Sequence, residues 1–366
     1  MLRRPTIKDV AQRAGCGIAT VSRVLNGQGS SSEQTRSKVL AAADALGFEF
    51  NDLGRSLQSN STRTIGCIVP SLANPVFAEV VQAAQAEANR AGYQLILACS
   101  DYDGGLETKA IRTLLAKQVD GLIVTVGDAR TSDGLELIRA KGTPCCLVYN
   151  TPPDPLRSDT VPGDTGDGLP AWTVDNRGAA DAVAEGFAKQ GHSCTGFLAL
   201  EFGRSDRSRE RYEGFVAACA RLGMAHPVLL EIEEQEGRLL HLLGTMLAEH
   251  RGITGIFASN DYLALAAMKA ARDLGMQVPR DLSIVGFDGI ATGLMVEPNL
   301  ATVVTDPKAM GRGAAQTVLA RLAGLEPPGR PDPAHTFSFR QGGSLGPPSA
   351  GKSDGGEAAT SPPSDQ

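Results

Sequence analysis

No run of about 18 apolar residues occurs in this 366-residue chain, so no membrane-spanning helix is expected. The basic start at Arg3 and Arg4 has no apolar segment behind it, which argues against a secretory leader and for a cytoplasmic protein without membrane partners. The seven cysteines at 16, 67, 99, 145, 146, 194 and 219 show no CxxC spacing, so reduced thiols are expected rather than disulfides or zinc ligands. Equally missing are a phosphate loop of the GxxxxGK[ST] type, a GxSxG elbow and any metal-ligand spacing. Gly15 and Gly17 follow no strand, so they are no dinucleotide fingerprint, and His192 after Gly191 reads as a helix-to-strand turn. These absences leave no catalytic, metal or cofactor site to expect, and point away from an enzyme.

What is present is a charge asymmetry. The first 63 residues carry nine Lys and Arg against five Asp and Glu, a net of +4, while the whole chain stands at −6. A basic segment joined to an acidic remainder suits a modular nucleic-acid binder, because only one part approaches phosphates.

Three short helices fit residues 1–48. Thr6 and Asp9 have capping-box spacing and open the first, which runs to about Ala14. Gly15, Cys16 and Gly17 make a tight turn, and a second helix follows from Ile18 to about Leu25, ending at Asn26 and Gly27. Ser32 and Glu33 start the third, with Val39, Leu40, Ala43 and Leu46 expected on its inner face and Gly47 as its stop. A helix, a Gly-containing turn and a second helix form the helix-turn-helix unit. On the second helix Ile18, Ala19, Ser22 and Arg23 share one face, while Val21, Val24 and Leu25 turn inward. The outer face offers a guanidinium for guanine O6 and N7 and apolar groups for a thymine methyl.

Residues 49–63 read as a polar connector with one short helix. Beyond it, apolar runs at 65–69, 94–98, 122–126, 145–148, 197–200, 255–258 and 283–286 alternate with helical patterns of 10–18 residues. That rhythm indicates parallel sheets covered on both faces, in two groups at about 64–150 and 173–290. Residues 151–170 form a Pro, Asp and Gly-rich surface loop whose Gly163 to Gly168 stretch lacks the ligands of a calcium loop. The Gly, Pro and Ser-rich end, 343–366, is expected to be disordered and carries no leucine heptad.

The motifs of the first helices, Thr6 to Gly15 and Thr20-Val21-Ser22-Arg23-Val24-Leu25-Asn26-Gly27, resemble the head of the lactose-repressor/galactose-repressor (LacI/GalR) family. Thr35-Arg36, Ala41-Ala42 and Leu46-Gly47-Phe48 continue the match. The resemblance implies base reading by Ile18, Ala19 and Arg23, with Thr6, Gly17, Thr20, Ser22 and Asn26 around them at the DNA. Gly17 stands where the family often has Ser. Arg55, Ser56 and Leu57, then Thr62, match the family's hinge helix, and the resemblance makes Leu57 the minor-groove wedge at the operator centre.

The resemblance extends to about residue 340 and implies an all-α helix-turn-helix head followed by a two-lobed, periplasmic-binding-protein-like α/β body. Residues 64–342 form that body, the first lobe from about 64–172 and 300–325, the second from about 173–299 and 326–342. Asn74-Pro75-Val76-Phe77, Val174-Asp175-Asn176, 209–215, Ser259-Asn260-Asp261 and Val285-Gly286-Phe287-Asp288 carry the match. Arg211 offers paired donors, Asp288 accepts from vicinal hydroxyls, Asn260 does both, and Phe77 offers a stacking face, as a polyhydroxyl ligand requires. These four align with family ligand contacts. Tyr149 and Asn150 stand where relatives often place Asp, and Thr305 where sugar binders often have Gln, so the pocket is its own. The implied protein is a cytoplasmic, ligand-responsive repressor, a homodimer on a pseudo-palindromic double-stranded operator, with a small effector, a sugar or sugar derivative. Whether the effector releases or tightens DNA is open, as is activation at a given promoter. A solute-binding protein accounts for the body but not for the basic first 63 residues.

Overall fold

The computed structural model describes residues 5–25, 31–48, 61–152, 169–233, 238–329 and 335–349. The chain divides into two compact units, Met1–Arg63 and Thr64–Gln366.

The first unit has three helices, α1 (Ile7–Ala14), α2 (Ile18–Leu25) and α3 (Glu33–Leu46). The Thr6 backbone N–H and hydroxyl both donate to the Asp9 carboxylate at 2.7 Å, which closes the first turn of α1. Gly15 ends α1 at φ 64, a left-handed conformation that glycine adopts without a Cβ clash. The Ser32 hydroxyl accepts from Thr35 N–H at 3.2 Å and caps α3. Val10, Val21 and Val39 are fully buried where the helices meet, with Ala11, Val24, Ala42 and Ala43 around them. Leu40, expected on the inner face, is instead 48% exposed, and Ala42 takes a core position. The spacing 39, 42, 43, 46 follows the 3.6-residue turn, and residue 40 lies about 100° away from 39. Asn26, Arg55 and Leu57, with most of the expected 49–63 connector, lie outside the described residues.

The second unit holds two sheets. The first has the order β2-β1-β3-β4-β5, built from β1 (Thr64–Val69), β2 (Gln94–Cys99), β3 (Gly121–Val124), β4 (Cys145–Val148) and β5 (Ala171–Trp172), all parallel. The second comprises β6 (Thr195–Leu200), β7 (Val228–Ile232), β8 (Gly255–Ala258), β9 (Ser283–Asp288), β10 (Ala301–Val304) and β11 (Ser338–Arg340). Its order is β11-β10-β9-β8-β6-β7, parallel except for the β10 and β11 pair. Helices α4 (Pro75–Arg90) and α11 (Pro307–Leu322) pack together against one face of the first sheet. Helices α5 (Gly104–Ala116) and α6 (Asp133–Lys141) cover the other. The second sheet is clothed by α7 (Asn176–Gln190) with α8 (Asp206–Arg221), and by α9 (Leu239–Glu249) with α10 (Asp261–Asp273).

Covering both faces explains the unbroken apolar strands. In β4, Cys146 and Val148 join the core under α4 and α11, while Cys145 and Leu147 join the core under α5 and α6. In the second sheet Phe197, Phe257, Val285 and Phe287 point to one side and Leu198, Ile256, Ala258 and Ile284 to the other.

Two expected boundaries change. Of 300–325, expected in the first lobe, only α11 joins the first sheet; β10 pairs in parallel with β9 in the second. A four-residue apolar run carries no mark of its sheet, which is fixed by the partner it meets. The disordered end expected from 343 is ordered over its described part, 343–349: Ser344 and Leu345 are buried, and Gly346 O accepts from Ser283 Oγ at 2.9 Å; residues from 350 on lie outside the described ones. His192, read as a turn marker, is what holds this segment. Its Nδ1 lies 2.8 Å from Thr254 Oγ1 and its Nε2 2.9 Å from Gly346 O, and burial lowers its pKa.

Four aromatic rings knit the second lobe. Phe197 meets Phe257 edge-on at 5.1 Å and lies 5.3 Å from Tyr212 and 6.2 Å from Phe215. Phe197 is fully buried, so Phe197→Ala opens a cavity as well as removing transfer energy. The expected loss of unfolding free energy is about 3–5 kcal/mol, read by urea denaturation; a loss under 1 kcal/mol would mean the ring is not part of a close-packed core.

Candidate functional site

Each unit carries a surface with functional chemistry. On the first, burying Val21 and Val24 leaves the opposite side of α2 outward. Ile18 is 46% exposed, Ala19 and Arg23 are exposed, and Thr20 and Ser22 are half-buried. Arg23 Nε donates to the Ala19 carbonyl at 3.3 Å, one turn back along the helix. Gly17 is exposed, and its carbonyl accepts from Thr20 and Val21 N–H to open the first turn of α2; as a glycine it has no side chain to cap that turn. Thr6 is exposed at the start of α1. An exposed isoleucine beside an alanine and an arginine suits the major-groove edge of base pairs.

On the second unit, a narrow cavity lies at the carboxyl ends of strands from both sheets, where open parallel sheets receive small molecules. Of the sequence-predicted residues, Phe77, Tyr149, Arg211, Asn260 and Asp288 line it. Asn74 caps α4 by accepting from Val76 N–H, and its amide donates to Asp288 Oδ2 at 3.3 Å across the two lobes. Phe77 stands edge-on to Tyr149, the centroids 5.7 Å apart, and makes one aromatic wall. Asn260 Oδ1 accepts from Leu263 N–H at 2.7 Å and caps α10. Arg211 stacks over the Phe287 ring at 3.4 Å, and its Nε donates to Asn176 Oδ1 at 2.9 Å. A further bond to the Ser259 carbonyl fixes its planar fork toward the cavity.

Asp288 sits at φ 117, a region that residues with a Cβ rarely occupy. The fully buried Asp261 holds that turn in place. Its carboxylate accepts from Gly289 and Ile290 N–H, each at 2.8 Å, and from the Thr302 hydroxyl at 2.5 Å. Gly286 makes room for it, since a Cβ there would stand 2.1 Å from Asp261 Oδ1. Burial first, then the nearby Asp288, pushes Asp261 up to about 7; burial pushes Asp288 itself up to about 6, with Arg211 and Asn74 opposing. Arg211 is lowered to about 10 by burial, Asp288 opposing and Arg207 adding to the effect.

Asn150, predicted as an effector contact, does other work. Its Oδ1 accepts from Val126 N–H at 2.9 Å, and its amide donates to Asp206 Oδ2 at 2.9 Å. It does not line the cavity. Instead it joins a seam between the lobes. Asp206 N–H donates to the Gly127 carbonyl at 3.1 Å, Ala129 N–H to Asp206 Oδ2 at 3.0 Å, and Arg209 pairs with Asp128. The first turn of α8 is thereby seated on the carboxyl end of the first sheet. Among the described residues no group of three or more His, Cys, Asp or Glu could hold a metal ion, and no helix is long and apolar enough to cross a membrane.

Residues 6–51 match the bacterial regulatory proteins of the lacI family, and residues 184–343 a periplasmic binding protein-like domain. The HTH-type transcriptional regulator GntR of Pseudomonas aeruginosa is 31% identical over 326 residues, covering 88% of this chain and 91% of that protein. The chain belongs to the lacI family of bacterial regulatory proteins. Within that family the ribose operon repressor of Halalkalibacterium halodurans is 33% identical over 301 residues, covering 81% of this chain and 84% of the repressor. A solved structure, the lac repressor dimer bound to operator and the anti-inducer ONPF, shares the fold with a TM-score of 0.76 at 24% identity, covering 94% and 100% of the two chains. As a lacI-family member, the chain is a DNA-binding transcriptional regulator.

Sequence reasoning passed over Asn74 and Arg207, which also line the regulator's cavity. The signal for Arg207 was its distance from Arg211: four residues apart on α8, the two share a helix face, while Arg209 turns to Asp128.

The raised Asp288 has a measurable consequence. Its folded pKa of about 6 lies above the unfolded value near 3.9, so its protonated form is favoured on folding. That contribution is full below about pH 4 and is lost as pH rises through about 6. His192, lowered by burial, acts in the opposite sense below its ordinary range, so a difference between two variants is the clean reading. Relative to the native chain, Asp288→Asn should gain about 2 kcal/mol of unfolding free energy between pH 4 and pH 8. A pH-independent difference in urea melts would contradict the raised pKa.

Proposed function

We propose that this lacI-family regulator is a cytoplasmic, homodimeric repressor, not an enzyme, that grips a pseudo-palindromic operator and is switched by a small polyhydroxylated effector in the cavity of its second unit. The observation that carries the DNA half is the outward face of α2, with Ile18, Ala19 and Arg23 exposed over a core of Val21 and Val24. Ser22, Thr20, Gly17 and Thr6 flank that face and serve phosphates or base edges. By resemblance, Asn26 and Arg55 contact DNA and Leu57 is the wedge between central base pairs, at a cost of a few kcal/mol that wider contact offsets.

The cavity supports the effector half. Arg211 and Asp288 present a forked donor and an acceptor, and Asn260 adds an amide, beside the Phe77 and Tyr149 rings. The relatives include a ribose operon repressor, which fits a carbohydrate or carbohydrate derivative. A dimer is supported by apolar side chains on and near the edge strand β2: Leu72, Ile96, Leu97 and Leu106 are 36–45% exposed. Effector occupancy shifts the DNA-binding form only by its differential affinity for two arrangements, about 1–3 kcal/mol in ordinary coupling.

Selection from random duplex DNA tests the reading. The native chain should enrich a palindrome; Arg23→Ala should relax one position per half-site and weaken binding by about 1–3 kcal/mol. Leu57→Ala should weaken binding without changing the half-sites. Failure to enrich any site, alone or with a panel of sugars and sugar derivatives, would contradict it.

A further inference from the structure

The cavity contains a buried guanidinium with one donor unspent. Arg207 is 5% exposed; its Nη1 donates to the Val126 carbonyl at 2.7 Å and to Asp206 Oδ1 at 3.1 Å, but its Nη2 has no acceptor. The Tyr149 hydroxyl is buried beside the Thr305 hydroxyl, and any bond to it leaves the remaining capacity of the phenol oxygen for a ligand. Both residues line the cavity. A buried donor left unpaired is costly, so native proteins rarely keep one that nothing will fill.

The placement of Arg207 sharpens the point. It is the second residue of α8, at the helix end that carries partial positive charge, where the N–H groups of Asp206, Ser208 and Arg209 are already bonded to Gly127 and Ser205. Asp206 pairs with the Arg207 Nη1, so what remains for a ligand is the Nη2 edge of the guanidinium, a charged donor that an anion would satisfy best. Arg211, one turn along, brings a second guanidinium to the same cavity. Asp288 is the one acidic side chain among the residues that line it, and it is bonded to Asn74. Two guanidinium groups, one with a free Nη2, and a tyrosine hydroxyl converge at the positive end of a helix, where a neutral sugar would supply only hydroxyls. An oxyanion accepts charge-assisted bonds from all of them.

We propose that the effector is a small polyol bearing an oxyanion, a carboxylate or a phosphate, and that Arg207 with Tyr149 selects for that group. This rests on the reading of the cavity as the effector site. Asn260 and Asp288 hold the hydroxyl end, and Arg211 lies between the two.

Calorimetric titration of the full-length protein with three classes of probe tests it: neutral aldoses, the corresponding aldonates and uronates, and aldose phosphates. At least one anionic probe should bind at least tenfold more tightly than its neutral parent. Aldonate or uronate binding alone identifies a carboxylate, and aldose phosphate binding alone a phosphate. Arg207→Gln should weaken the anionic probe about 10- to 100-fold. Arg207→Lys, which keeps the charge in case the Gln variant fails to fold, should weaken it far less. Equal binding of neutral and anionic probes, abolished by Arg211→Ala, would overturn the anion proposal and leave the cavity reading intact. An anionic probe indifferent to Arg207→Gln in a folded variant would overturn the role of Arg207. No binding of either class would overturn both readings.

Discussion

The seat of α8 on the first lobe is the constraint on which the body depends. Asp206 takes bonds from Asn150 and from Ala129 N–H and gives one to the Gly127 carbonyl, so a single side chain and its own amide bridge two sheets. With that turn fixed, Arg207 and Arg211 project into the crevice from one helix face, and Arg209 is spent on Asp128. Across the crevice Asn74 reaches Asp288 from the first lobe, so the cavity has a polar tie on each side. A ligand that engages Arg211, Asp288 and Tyr149 acts on groups contributed by both lobes. That is the arrangement in which occupancy can bias the angle between them.

Much of the fold was legible because both faces of each sheet are covered. Strands such as β4 and β8 are short, wholly apolar runs, and periodicity separates them from the helices between. The capping pair Thr6 and Asp9 and the stop at Gly15 marked α1 to the residue. What escaped was whatever depends on a distant partner. β5 is two residues long, β10 joins the second sheet only through β9, and the segment around Leu345 is held by His192, more than 150 positions earlier.

The candidate site divides the same way. Phe77, Tyr149, Arg211, Asn260 and Asp288 were found from the ends of apolar strands and helix starts together with the family pattern, and they do converge on one cavity. Asn150 was adjacent in sequence and misread, because its neighbour Tyr149 turns at φ 69 and the amide points instead to Asp206, 56 positions away. Arg207 was hidden among the arginines of 207–211, where only its four-residue spacing from Arg211 set it apart from Arg209 at the seam. Asp261 carried no signal of its role beneath Asp288, since a carboxylate capped by two backbone amides looks like any acidic helix start.

The central claim is that occupancy of this cavity alters the grip of the regulator on DNA. Fluorescence anisotropy of the selected operator, titrated with the native chain at fixed salt, with and without saturating aldonate, uronate, aldose phosphate or neutral aldose, tests it most directly. The probe bound in the cavity should shift operator affinity about 5- to 150-fold in one direction, and the shift should vanish in Arg211→Ala. An operator affinity unchanged by a probe that demonstrably occupies the cavity would contradict it.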